Sequence, residues 1–295
     1  MMPPVTPLDH WLDSGWAQPA AVREVDVEGA TVRYRGWGLD ATDKPGLIFV
    51  HGFLAHARWW DHIAPHFTDR FRVAALDFSG MGDSEHRPEY SRRQYGREIL
   101  AVAQAAGMER VTLAAHSFGS VAALYAASLA PEQVERAIII DAHVFRGEVE
   151  KGTLNVPDRT YATRAEAVDR YRLIPPGAWP LPRIVQYLAG NSVRETADGW
   201  RWKFDPETLR SFHTERLRDD IRGLDLPVDF IHAADSEVVG PAEIASFLAN
   251  MPGCRAAVTV PLSHHHIMIE QPVGLVAALN GLLNERGPRA TQEQQ

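Results

Sequence analysis

The chain has 295 residues, 45% of them hydrophobic, enough for one large domain or a domain carrying an insertion. A formal charge of -8 argues against nucleic acid or an anionic membrane as the main partner. The single cysteine, Cys254, excludes an internal disulfide framework and fits a reducing compartment. Residues 1–7 lack a basic region followed by an apolar stretch, so no signal peptide is expected and the location implied is cytoplasmic. Residues 23–27 and 31–37 predict an opening hairpin turning at Glu28-Gly29. Leu47-Ile48-Phe49-Val50 and residues 72–78 read as strands buried on both faces. Ser91-Arg92-Arg93-Gln94 is a capping-box signature for a helix reaching about Gly107. Further strands are expected at 110–115 and 137–140.

From about His143 to Gly223 the alternation stops. That stretch predicts helices and a proline-rich turn, Pro175-Pro176-Gly177-Ala178-Trp179-Pro180, with no buried strand. Asp205-Pro206-Glu207 starts a helix, with Asp as the cap and Pro at the first helical position. Strands resume at 228–232 and 256–260, and a closing helix spans 273–283. The expected architecture is α/β: a mostly parallel, doubly wound sheet with a helical insertion. Core residues are 1–142 and 224–295, and the insertion is 143–223.

The chemistry centres on Ala115-His116-Ser117-Phe118-Gly119, which closes one apolar strand and opens an apolar, alanine-rich helix. A serine on so tight a turn needs small residues two places before and after it, and Ala115 and Gly119 supply them. This is the nucleophile-elbow pattern, with Ala replacing the usual first Gly, and it makes Ser117 the candidate nucleophile. The alternative is a serine that merely caps a helix. Other polar residues that end strands are His51-Gly52-Phe53, Asp77, Asp141, Asp235 and His264-His265-His266. Open parallel sheets collect reactive groups at these strand ends.

These segments together resemble the α/β-hydrolase superfamily over residues 24–142 and 226–284. The resemblance rests on His51-Gly52-Phe53, on the run from Asp77 to Ser84, on the Ser117 elbow, on Asp235, and on the spacing of His265, Glu270 and Pro272. His264 stands where the family usually has glycine. The resemblance implies His265 as the base and Asp235 as the acid, with Asp141 the alternative acid. It implies an oxyanion hole from the backbone N–H groups of Phe118 and Phe53. The insertion corresponds to a family cap. Its Trp179, Tyr187, Trp200 and Trp202, with Trp59 from the core, are candidates for lining an apolar acyl pocket or for holding the cap in place.

The implied activity is serine-dependent hydrolysis of a carboxylic ester, lactone or thioester, on a small and apolar acyl substrate. Two alternatives stay open: hydrolysis of a carbon–carbon bond in a dicarbonyl compound, and a hydrolase-like ligand receptor with little turnover. No cofactor is implied. Adjacent histidines do not by themselves make a metal site, because consecutive residues seldom point at one ion, so no metal is expected. His51 reads as a loop anchor and Asp77 as the stabiliser of its own turn.

Overall fold

The computed structural model describes residues 6–145, 158–210, 212–213 and 218–284. Glu28 and Gly29 turn the chain with φ values of 50° and 80°, joining β1 (Ala21–Val27) to β2 (Ala30–Trp37) as an antiparallel hairpin. Two positive φ values in succession give the turn whose twist matches that of paired strands. The following strands, β3 (Gly46–Val50), β4 (Arg72–Leu76) and β5 (Val111–His116), are buried at every residue. β6 (Val134–Ile140) closes the first half of the sheet.

After β6 the chain leaves the sheet. It forms helices α4 (Arg164–Asp169) and α5 (Pro182–Asn191), then a small antiparallel hairpin of β7 (Val193–Thr196) and β8 (Gly199–Trp202). It returns as β9 (Val228–Ala233), helix α6 (Pro241–Asn250), β10 (Cys254–Val260) and α7 (Pro272–Asn284). The main sheet has eight strands in the order β1-β2-β4-β3-β5-β6-β9-β10. The pairs β1/β2 and β2/β4 are antiparallel and all others are parallel. The carboxyl ends of β3, β5, β6 and β9 therefore meet along one rim.

Side-chain alternation splits the core into two layers. Ile48 and Val50 face one way, with Leu113, Ala115 and Ile139, towards α2 (Arg92–Ala105) and α3 (Gly119–Leu129). Leu47 and Phe49 face the other, with Ile138, Ile140 and Ile231, against Trp60, Phe67 and the Leu275 and Leu279 of α7. Each such side chain contributes roughly 1.5–3 kcal/mol on full burial, more than any one cap. The Ser91 hydroxyl accepts from the Gln94 N–H at 3.0 Å, half of the predicted capping box, while Gln94 Oε1 accepts from Arg97 at 2.6 Å.

Several elements were not expected from the sequence, a first helix, a later one and a hairpin among them. Helix α1 (Pro7–Trp16) starts at a capping box in which Thr6 and Asp9 bond reciprocally, Asp replacing the usual Glu or Gln. Helix α6 begins at Pro241, with Glu243 accepting from the Gly240 N–H at 3.0 Å. The β7/β8 hairpin is mostly half-buried, so it lacks the apolar run that marks a core strand. Among the described residues, no helix is long and apolar enough to cross a membrane.

Candidate active site

Strand β5 delivers Ser117 to the rim. The residue takes φ 50°, a left-handed conformation that costs a non-glycine residue on the order of 1–3 kcal/mol. Two hydrogen bonds hold it there. Its N–H donates to the Ile140 carbonyl at 3.0 Å, and its carbonyl accepts from the Ser120 N–H at 3.0 Å, the first turn into α3. The small residue two places on is a steric requirement. A Cβ on Gly119 would lie 2.4 Å from the His51 carbonyl oxygen and 2.8 Å from Val50 Cγ1. Gly119→Ala should therefore push the elbow away from β3, destabilising the fold by about 1–3 kcal/mol and slowing any reaction at Ser117. Thermal melting and the rate of labelling by a fluorophosphonate check both effects.

Asp141 sits one strand over, immediately after β6, and is also left-handed at φ 44°. It is fully buried, and its carboxylate has its donors. Oδ1 accepts from the Ala233 N–H at 3.0 Å, and Oδ2 accepts from the Ser236 hydroxyl at 2.6 Å. The remaining direction at Oδ2 meets His265 Nδ1 at 2.7 Å. On its other side, His265 Nε2 lies 2.8 Å from Ser117 Oγ. A carboxylate can only accept, so Nδ1 carries the proton and Nε2 presents its lone pair to the serine hydroxyl.

The structure thus brings together Ser117, His265 and Asp141, and not Asp235. Asp235 is exposed at the end of β9, with its backbone N–H donating to the Ser263 carbonyl at 2.9 Å. The expected position for the acid is corrected on this point. The reason is register: Asp141 N–H bonds the Ile231 carbonyl at 2.8 Å, which turns the buried Asp141 carboxylate across β9 to the histidine loop.

The His51-Gly52-Phe53 loop follows β3 and lies beside the elbow. His51 Nδ1–H donates to the Gly52 carbonyl at 2.7 Å, and Nε2 accepts from the Phe78 N–H at 3.1 Å. Burial pushes this imidazole down to about 4, so it is neutral and acts as the expected anchor. A Cβ on Gly52 would stand 3.5 Å from Ser117 Cβ, which places this loop in van der Waals reach of the serine. The Phe53 and Phe118 rings meet with centroids 4.9 Å apart. Asp77 stabilises the neighbouring turns, accepting from Ala57 N–H at 2.6 Å and Asp83 N–H at 2.8 Å. Burial raises its carboxyl to about 6.

A protein-family comparison matches residues 47–279 to the alpha/beta hydrolase family. The chain belongs to that family. Among curated relatives, a serine hydrolase-like protein of Danio rerio is 26% identical over 49% of this chain and 45% of its own length. The chain thus spans less than half of that relative. An sn-1-specific diacylglycerol lipase of Mus musculus is 23% identical over 83% of this chain and 82% of its own. An esterase of Mycobacterium tuberculosis is 22% identical over 88% and 89%. The solved E-2-(acetamidomethylene)succinate hydrolase superposes with a TM-score of 0.75 at 20% identity, covering 90% of this chain and 99% of that one. A thioesterase domain from the curacin biosynthetic pathway gives 0.73 at 18% identity, over 88% and 99%. These superpositions carry the fold.

In this α/β-hydrolase a cavity of about 450 Å³ is bordered by Phe53 of the loop after β3 and by His266, with Trp59, Tyr171, Trp202 and Phe204 as aromatic walls and Arg159, Arg170, Arg172 and Lys203 as cations. Of the aromatic candidates, Trp59 and Trp202 line it. The other three do not. Trp179 is 57% exposed and leans on the His264 ring at 5.2 Å. Tyr187 donates its hydroxyl to Asp61 and stacks on Trp16. Trp200 packs with Tyr161 and Val193 in a small separate cluster.

Two residues with a positioning role went unassigned in the sequence. Glu270 accepts from the His264 N–H at 2.6 Å and from the Trp179 N–H at 3.2 Å, fastening the histidine loop to the proline-rich turn. Its family spacing from His265 was the available signal. His116, just before the nucleophile, donates Nε2–H to the His265 carbonyl at 2.9 Å. Burial, reinforced by the neighbouring histidines, holds His116 well below the usual range. Its ring therefore stays neutral.

Proposed function

We propose that this α/β-hydrolase cleaves a carboxylic ester, or a related lactone or thioester, through an acyl-enzyme formed on Ser117. The observation that carries the reading is His265, shared between Ser117 Oγ at 2.8 Å and Asp141 Oδ2 at 2.7 Å. His265 Nε2 takes the serine proton as Oγ attacks the carbonyl carbon, and Asp141 steadies the imidazolium. The backbone N–H groups of Phe53 and Phe118 face the developing oxyanion. The dipole of α3 adds to that stabilisation. His265 then protonates the leaving alkoxide, so the C–O bond breaks to free the alcohol. A water, deprotonated by the same nitrogen, releases the acid and restores Ser117. The buried Asp141, rather than Asp235, takes the part of the acid.

Residues 143–223 serve as the cap over a core of 1–142 and 224–295. The cap contributes Tyr171, Trp202 and Phe204 to the cavity, which supports an apolar acyl group there, and also the cations Arg159, Arg170, Arg172 and Lys203. The single Cys254 supports a reducing, cytoplasmic location. The names of the Mus musculus lipase and the Mycobacterium tuberculosis esterase support ester chemistry in particular.

A series of p-nitrophenyl esters of increasing acyl length tests this reading. Turnover of these esters, with a rate that depends on acyl length, is the expected result. Cleavage of a vinylogous diketone with no turnover of any ester would move the activity to carbon–carbon bonds. Neither activity, with ligand-dependent capture of a partner, would make the protein a receptor.

A further inference from the structure

His116, His265 and His266 form a cluster at the rim. The centroids of His116 and His265 are 4.7 Å apart, those of His265 and His266 5.1 Å, and those of His116 and His266 5.8 Å. One nitrogen from each ring lies within 4.8 Å of the other two. All three residues are at most 5% exposed.

Hydrogen bonding fixes which nitrogen each ring offers. His116 Nε2 faces the His265 carbonyl at 2.9 Å, and His266 Nε2 faces the Pro175 carbonyl at 3.1 Å. A carbonyl only accepts, so both Nε2 atoms carry protons, and both Nδ1 atoms are bare lone pairs. Among the described residues, neither Nδ1 has a hydrogen-bond partner, although both are buried. His265 is the mirror case: Nδ1–H is spent on Asp141, and Nε2 is the nitrogen that accepts from the Ser117 hydroxyl. Every ring therefore donates through one nitrogen to a carbonyl or carboxylate and keeps a lone pair on the other, which at His265 is engaged by the Ser117 hydroxyl. That is the arrangement that orients histidines on a metal and raises their basicity as ligands.

His116 Nδ1 lies beside Gly52, in the loop that also approaches the serine. The point where a Gly52 side chain would begin is 2.9 Å from His116 Nδ1 and 3.5 Å from Ser117 Cβ. No side chain fills it. His266 borders the cavity, which gives an ion a route in.

We infer that His116, His265 and His266 bind a divalent transition-metal ion such as zinc, and that the bound ion switches the enzyme off. Zinc takes imidazole nitrogens at about 2.0–2.1 Å in a tetrahedron, so the three rings must close by roughly an ångström. The hydroxyl of Ser117 supplies the fourth ligand through an oxygen lone pair, with its proton turned away. No covalent bond breaks. The ion displaces only the hydrogen bond from Ser117 to His265 Nε2, and with it the base the reaction needs. Asp141, behind His265, contributes a negative charge that helps offset the desolvation of the cation. The inhibition rests on the acyl-enzyme reading, whereas the binding stands apart from it.

The test uses the full chain. Zinc added to the protein should inhibit ester turnover reversibly, with recovery on EDTA, and magnesium should have no effect because it is a hard cation that prefers oxygen. Cobalt(II) should give the visible absorption of a tetrahedral site at one equivalent. Gln keeps an N–H near the position of Nε2 but lacks the Nδ1 lone pair, so His116→Gln and His266→Gln each remove one ligand. Each should weaken the metal by more than the roughly 10–100-fold that loss of an outer-shell partner costs, while melting curves stay close to those of the unchanged protein. Absence of zinc inhibition, or an unaltered cobalt band in both variants, overturns the inference. Should the variants unfold, phosphonylating Ser117 decides: the cobalt band must be lost, and its persistence places the ion elsewhere. A serine that resists phosphonylation defeats the acyl-enzyme reading instead, and the cobalt band then judges the metal site by itself.

Discussion

Asp141→Asn is expected to lower ester turnover by about 10⁴-fold, the size of loss seen when a triad histidine is held in the wrong tautomer. The geometry specifies how. Oδ1 must still accept from the Ala233 N–H, so the new amide nitrogen takes the place of Oδ2. That nitrogen donates, and it faces His265 Nδ1, formerly the donor to Oδ2. The imidazole proton is driven to Nε2, which can no longer accept from Ser117. Asp235→Asn, at an exposed position, should stay within about twofold of the unchanged protein, as surface substitutions usually do. Turnover of both variants on one p-nitrophenyl ester, with melting curves to confirm folding, measures the contrast. A crippled Asp235→Asn beside an active Asp141→Asn would transfer the acid's role to Asp235.

Ser117→Ala carries the largest effect, a fall in turnover of about 10⁶-fold, as expected when a triad's nucleophile is removed. The substitution keeps a Cβ at a left-handed position the fold already tolerates in serine. The two backbone hydrogen bonds that hold the elbow remain. The melting temperature should therefore change little while hydrolysis drops to the level left by the oxyanion donors and binding. Stopped-time product assays with high enzyme concentration reach that range. A variant retaining a tenth or more of the activity, on the order of 1 kcal/mol of lost barrier stabilisation, would show that Ser117 is not the attacking group.

The eight strands of the main sheet were legible because each is a continuous apolar run or an alternating one bounded by turn residues. The elbow was legible for a similar local reason: the small residues flanking the serine stand between an apolar strand and an apolar helix, and the other strand-end motifs follow in order. The acid was not. Asp141 and Asp235 each follow the end of a strand, and β6 and β9 are neighbours, so both stand at the same rim. What separates them is depth. Ala233 N–H and the Ser236 hydroxyl converge on Asp141, and those donors lie some 90 residues away in the chain. No local pattern encodes that convergence.

The aromatic candidates divide for a similar reason: Trp59 and Trp202 line the cavity and three others do not. Trp179, Tyr187 and Trp200 sit in the stretch expected to be a cap, yet their partners are His264, Asp61 and Tyr161, contacts that only the fold defines. The β7/β8 hairpin escaped notice because it is mostly half-buried and its strands are short. Helix α1 had a signal in Thr6 and Asp9, an acidic variant of the usual capping pair.

The central claim is that His265 makes the hydroxyl of Ser117 a nucleophile. Incubation with a fluorophosphonate, followed by peptide mass spectrometry, tests it most directly. A single adduct on the peptide carrying Ser117, formed quickly in the unchanged protein and strongly slowed in His265→Ala, is the expected result. An adduct on another residue, or equal labelling of Ser117 without the imidazole, would contradict it.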